Sequence, residues 1–141
     1  EETNLPERPV LFQLEYKNLS KVWVKLVPVA GFADWKENVA WEARIEKLNS
    51  IRPVQQKTWT LANPGDYYQH QTELSLTALP VGTYVIVASE NESFNDKKGY
   101  VAFSEFTVTN LAPLAIHTDV ASKFVVAHRA TGEPLEGVKG E

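Results

Sequence analysis

Val10, Phe12, Leu14 and Tyr16 alternate with Leu11, Gln13, Glu15 and Lys17. A period of two with one polar face predicts a half-buried strand. Val22, Val24 and Leu26 alternate in the same way with Lys21, Trp23 and Lys25. The short Asn18-Leu19-Ser20 turn between the two runs predicts a hairpin. The period then changes over residues 34–49. Asp34 and Glu37 have the spacing of a capping box, and Trp41, Ile45 and Leu48 fall on one helical face. Asn49, Ser50 and Pro53 stop this helix. Strands resume at 58–61, 72–77 and 83–88, separated by the turns Asn63-Pro64-Gly65-Asp66 and Leu79-Pro80-Val81-Gly82. The run 83–88 is apolar on both faces and predicts a core strand. Residues 91–99 form a polar loop. After it, Val101 and Phe103 share one parity, and Phe106 and Val108 the other. A bulge near Ser104-Glu105 would bring all four to one face.

These elements predict an all-β fold: an antiparallel immunoglobulin- or fibronectin-like β-sandwich of about seven strands over residues 10–110, with one short helix. Phe12, Leu14, Leu74, Leu76, Tyr84, Ile86, Phe106 and Val108 are its expected core. Residues 1–9, with Pro6 and Pro9, read as a mobile lead-in. Residues 111–141 read as an incomplete second β unit, with a strand around Phe124 to Ala127 and a Thr131-Gly132-Glu133-Pro134 turn. About 30 residues do not bury a core alone. This tail is therefore expected to pack on the first domain or to self-associate through its unpaired strand. The chain begins with Glu1 and contains no methionine, and is expected to be a piece of a longer protein.

Composition narrows the chemistry. The 141 residues carry a net charge of -4, without the basic stripe that nucleic acid requires. No cysteine is present, so no disulfide, zinc knuckle or thiol nucleophile is available. No apolar run approaches the roughly 20 residues of a membrane helix, and no membrane contact is expected. His70, His117 and His128 lack metal-ligand spacing, and no G-x-S-x-G elbow occurs. The expectation is a non-enzyme without catalytic residue, metal or cofactor. The loop from Glu90 to Asp96 is rich in oxygens, but it lacks the EF-hand spacing and is flanked by Lys97 and Lys98; it reads as a solvated hairpin loop. Asn18 and Asn91 stand in glycosylation sequons, which matter only in a eukaryotic secretory route. Trp23, Trp35, Trp41, Trp59, Tyr67 and Tyr68 are core plugs, partner contacts or a sugar platform. Trp23, Tyr67 and Tyr68 are the candidates for partner contact. Trp23 is the best placed for exposure, because it shares its strand face with Lys21 and Lys25.

Three stretches carry a family likeness. Residues 79–89, LPVGTYVIVAS, resemble the L-P-x-G-x-Y strand entry of macroglobulin-like domains. Residues 106–112, FTVTNLA, resemble the junction between successive domains of bacterial alpha-2-macroglobulins. Residues 131–138, TGEPLEGV, resemble the turn of the domain that follows. Asn63-Pro64-Gly65-Asp66-Tyr67 is similar to a turn in Bacteroides-like members. The matches span residues 63–138. The resemblance implies a macroglobulin-like domain leading into the next, within a bacterial endopeptidase inhibitor. Such a protein is a lipoprotein of the cell envelope, in the periplasm or at the cell surface, that traps proteases after bait cleavage. The implied partners are the neighbouring domains and, through the whole protein, target proteases. The thioester of that family needs a cysteine, so this stretch is scaffold. The alternative is a carbohydrate-binding or adhesion sandwich of a cell-surface protein.

Overall fold

A computed structural model describes residues 2–30, 39–117 and 122–138. The described residues form β1 (Glu2–Asn4), β2 (Val10–Lys17), β3 (Lys21–Val29), α1 (Trp41–Ser50), β4 (Gln55–Thr60), β5 (Gln69–Leu76), β6 (Gly82–Ser89), β7 (Val101–Val108), β8 (Leu111–His117) and β9 (Ser122–His128). The chain divides into two units, residues 1–108 and 109–141, a boundary two residues before the expected one.

The first unit is an all-β sandwich with one helix. A five-stranded sheet in the order β1-β7-β6-β3-β4 faces a two-stranded sheet, β2-β5. Every pairing is antiparallel except β1 with β7, where Glu2, Thr3 and Asn4 run parallel to Phe106, Thr107 and Val108. Residues 2–4 thus belong to the large sheet, where a mobile lead-in was expected.

The large sheet is covered on both sides. Even-numbered residues of its central strands face the small sheet. Val22, Val24, Leu26, Tyr84, Phe106 and Val108 pack there against Val10, Tyr16, Leu74 and Leu76. Odd-numbered residues face the helix, where Val27, Val85, Val87 and Val101 pack against Ile45, Leu48 and Phe94. Two covered faces explain why 83–88 is apolar throughout. They also account for the parity change in β7. Its pairing with β6 runs without a slip from Gly82↔Val108 to Ser89↔Val101, so no bulge is present. Val101 and Phe103 serve the helix side, and Phe106 and Val108 the sandwich side.

The expected hairpin of β2 with β3 does not form. β2 pairs with β5, from Val10↔Leu76 to Lys17↔Gln69, while β3 pairs with β4 and β6. The Asn18-Leu19-Ser20 turn instead carries the chain from one sheet to the other, with Asn18 in the left-handed region that asparagine tolerates. Of the expected core, Leu74, Leu76, Tyr84, Phe106 and Val108 are buried, whereas Phe12, Leu14 and Ile86 are half-buried.

The helix starts at Trp41 after Ala40, which makes no side-chain cap. Asp34, Glu37 and Trp35 lie outside the described residues. Ile45 and Leu48 are buried as the helical period requires. Trp41 is largely exposed, yet its ring stacks on Phe103 at 4.5 Å.

The Leu79–Tyr84 stretch owes its residue types to one corner. The Tyr84 hydroxyl donates to the Pro80 carbonyl four residues back, at 2.9 Å. The ring folds over Gly82, where a Cβ would meet Tyr84 Oη at 3.2 Å and Cζ at 3.3 Å. This is the tyrosine-corner arrangement of sandwich folds. Burial pushes the Tyr84 phenol above its ordinary pKa.

The second unit is a hairpin in which β8 and β9 pair from Leu111↔His128 to His117↔Ser122. Thr131 to Glu133 then turn the chain back so that Pro134 bridges to Ala127. The Leu135 amide bonds the Val126 carbonyl at 2.8 Å.

Two outcomes test this packing. Leu26→Ala, at a fully buried site, is expected to cost about 2–5 kcal/mol by urea denaturation, and Ile86→Ala distinctly less. Tyr84→Phe keeps the ring but removes the corner bond, and is expected to cost about 0.5–1.5 kcal/mol.

Candidate functional site

The connection between β4 and β5 presents its aromatic residues by backbone chemistry. Asn63 Oδ1 accepts from the Gly65 amide at 3.3 Å, and Asp66 Oδ1 from the Tyr68 amide at 3.0 Å. These are two Asx turns in succession. Between them Tyr67 adopts φ 60, a conformation that costs a bulky residue about 1–3 kcal/mol. Asp66 also bonds His70 Nε2 at 2.8 Å. The His70 bond, and then the Tyr68 amide, hold the exposed Asp66 carboxyl below the ordinary aspartate pKa. The turn thereby projects Tyr67 outward, 67% exposed.

Tyr67 flanks a groove of about 460 Å³ at one end of the sandwich. The size suits a small ligand or a few side chains of a partner. Its apolar lining comes from Leu14 and Tyr16 of β2, Val22 of β3, Ala88 of β6 and Ala102 of β7. Glu15, Lys17, Asn18 and Glu90 supply the polar lining. Tyr100, 84% exposed, is the second exposed aromatic beside the buried Tyr16.

Of the three expected contact residues, Tyr67 lines this groove. Tyr68 is 73% exposed beside Tyr67 on the chain but does not line it. Trp23 belongs elsewhere. Its face of β3 carries the helix, so the expected exposure is corrected: Trp23 is half-buried, packed with the helix-side cluster, and Lys21 Nζ lies 4.9 Å from its ring centre. Tyr100 was missed. It stands alone after Lys97-Lys98-Gly99, outside any alternating run, and only the closing of β7 on β6 brings it to the groove.

The helix side hides a different polar group. Lys25 is 6% exposed. Its ammonium donates to Asn49 Oδ1 at 2.6 Å and lies 4.4 Å from the Phe94 ring centre. Asn49 Nδ2 in turn donates to the Phe94 carbonyl at 3.0 Å. The expected polar loop is therefore an anchor. Asn91 Oδ1 accepts from Ser93 Oγ and the Asn95 amide, Asn91 Nδ2 donates to the Asn95 carbonyl, and Phe94 is driven beneath the helix. Desolvation holds Lys25 below its ordinary pKa of 10.5.

His70, His117 and His128 fall on β5, β8 and β9. Among the described residues no three histidine or carboxylate side chains gather into a metal-ligating group. Comparison with protein-family models, curated proteins and solved structures finds no match to this chain.

Because the folded state gives up the Lys25 proton at lower pH than the unfolded chain does, unfolding takes up a proton between the two pKa values. The contribution of Lys25 to stability is therefore expected to rise as pH climbs through that window towards 10.5. Urea titrations of the chain and of Lys25→Met over pH 8–11 measure it. The difference between the two profiles should widen in favour of the lysine form at the alkaline end.

Proposed function

We propose that this chain is a non-catalytic structural and interaction module, and that it engages its partner through the groove flanked by Tyr67 and Tyr100. The observation that carries this reading is the groove itself. Two of the most exposed aromatic rings described stand beside an apolar hollow, the composition that enriches binding surfaces. One of them is held out at a backbone cost that packing alone does not require.

The setting we propose is a macroglobulin-like array in a bacterial envelope protein that inhibits proteases by enclosure. Support comes from the tyrosine corner, which gives the L-P-x-G-x-Y stretch a structural reason, and from the sandwich with its following hairpin. In that setting the partners are neighbouring domains, and proteases are met by the whole protein. Among the described residues no helix is long and apolar enough to cross a membrane.

A second reading has its own observation. Tyr67 and Tyr100 lie close to Glu15, Asn18 and Glu90. Flat rings beside hydrogen-bonding groups are what a sugar platform offers, so a carbohydrate-binding or adhesion role stands as the alternative.

A photo-crosslinking residue at position 67 or 100 tests the two readings in the protein's own cell. Adducts to a domain of the same polypeptide, absent when the crosslinker stands at Glu73 on the outer face of β5, are the expected result. Saturable oligosaccharide binding abolished by Tyr100→Ala would favour the sugar platform. The chain is also expected to leave trypsin fully active; stoichiometric inhibition would overturn the scaffold reading.

A further inference from the structure

The two sheets of the first unit differ in width. Five strands face two, and adjacent strands lie about 4.7–4.9 Å apart. The small sheet therefore leaves part of the large one uncovered. Ala102 and Ser104 show where. Both stand on the inner parity of β7, the side of Phe106 and Val108, yet both are exposed. Ile86 and Ala88, the adjacent inner residues of β6, are half-buried. Together they make a floor of mostly small side chains.

β2 forms the wall beside this floor. Hollows follow it along its length. One is bounded by Val10 to Gln13 with Asn4, Ile86, Ser104 and Phe106, and the next by Phe12 to Leu14 with Ala88 and Ala102. The groove at Tyr67 and Tyr100 continues the series past Lys17. Consecutive residues of β2, of both parities, line them, so its backbone edge is what borders the floor. Among the described residues β2 pairs only with β5. A strand paired on one side leaves every second N–H and C=O turned to the other.

We infer that this edge is a strand-addition site: an extended peptide segment of another polypeptide pairs antiparallel with β2 and lays alternate side chains on Ile86, Ala88, Ala102 and Ser104. This rests on the reading of the chain as an interaction module and names the form of the partner. The unpaired backbone selects an extended strand, as in β-augmentation. The floor selects the side chains, small or β-branched ones that fit above alanine and serine. β2 runs from the Ser104–Phe106 end towards the Tyr100 end, so an antiparallel guest begins near Lys17 and Glu90. Glu15, Glu90 and Lys17 line that end, an acidic excess that complements a basic residue at the start of the guest. A second copy fits less well, because its own large sheet reaches beyond its β2 and would meet the first.

The test uses the full chain and a synthetic peptide of the eight-residue length of β2, one lysine followed by alternating threonine and valine. A control carries N-methyl groups on alternate amides, which keeps the side chains and removes backbone donors. The expected result is slowed hydrogen exchange, about tenfold or more, at alternate amides of residues 10–17. Shifts of the Ala88 and Ala102 methyls should accompany it, and both effects should vanish with the control and with Ala102→Arg. Equal effects from the N-methyl peptide would overturn strand addition, as would no protection of β2 at millimolar peptide. Peptide-independent protection that is lost on dilution would put a second copy there instead. Sugar- or partner-induced shifts confined to Tyr67 and Tyr100, with β2 unprotected, would leave the proposed function standing and remove this inference.

Discussion

The fold depends on β3 and β6 being buried on both faces. Val24, Leu26, Val27, Val85 and Val87 are essentially inaccessible, and they alternate between two opposite sides of one sheet. Such a pair is stable only if each side is roofed. The small sheet roofs one side. Helix α1, together with the loop that plants Phe94, roofs the other. Each roof in turn decides something about function. The small sheet is narrower than what it covers and leaves the groove. The helix covers the other side and leaves Trp23 half-buried there.

The same constraint shows what could be read along the chain. Strand positions were legible, because period-two alternation survives wherever one face is wetter than the other. The double apolarity of 83–88 was legible as centrality. The assignment of faces was not. In β3 the helix-side residues are Lys21, Trp23 and Lys25, which look like a solvent face. Only the Asn49 amide and the Phe94 ring, both distant in sequence, make a buried ammonium tolerable there. In β7 the change of parity records two roofs that cover different lengths of the strand, whereas a single-face reading requires a bulge.

Sheet membership was illegible for a related reason. Turn residues such as Asn18 specify that the chain reverses, and say little about whether the next strand joins the same sheet. Register on the small sheet is pinned by more than its inner residues. Gln13, Glu15, Gln69 and Gln71 form a hydrogen-bonded ladder on its outer face. The groove escaped notice because it is made by a missing width, and no run of residues encodes the absence of a strand. Tyr67 was visible through its turn, and Tyr100 had no comparable local signal.

The parallel pairing of β1 with β7 has a mechanical consequence. In this unit the first strand and the last lie side by side and point the same way, Glu2 beside Phe106 and Asn4 beside Val108. A pull applied to the start of β1 and the end of β7 therefore draws the two strands past each other along their lengths. Their bonds are loaded together in shear, where an antiparallel pair pulled in this manner would open one bond at a time. Resistance to such a pull is governed by the unfolding barrier rather than by equilibrium stability. A three-residue clasp of this polarity thus lets a modest sandwich bear load between its two ends while its central strands remain undisturbed.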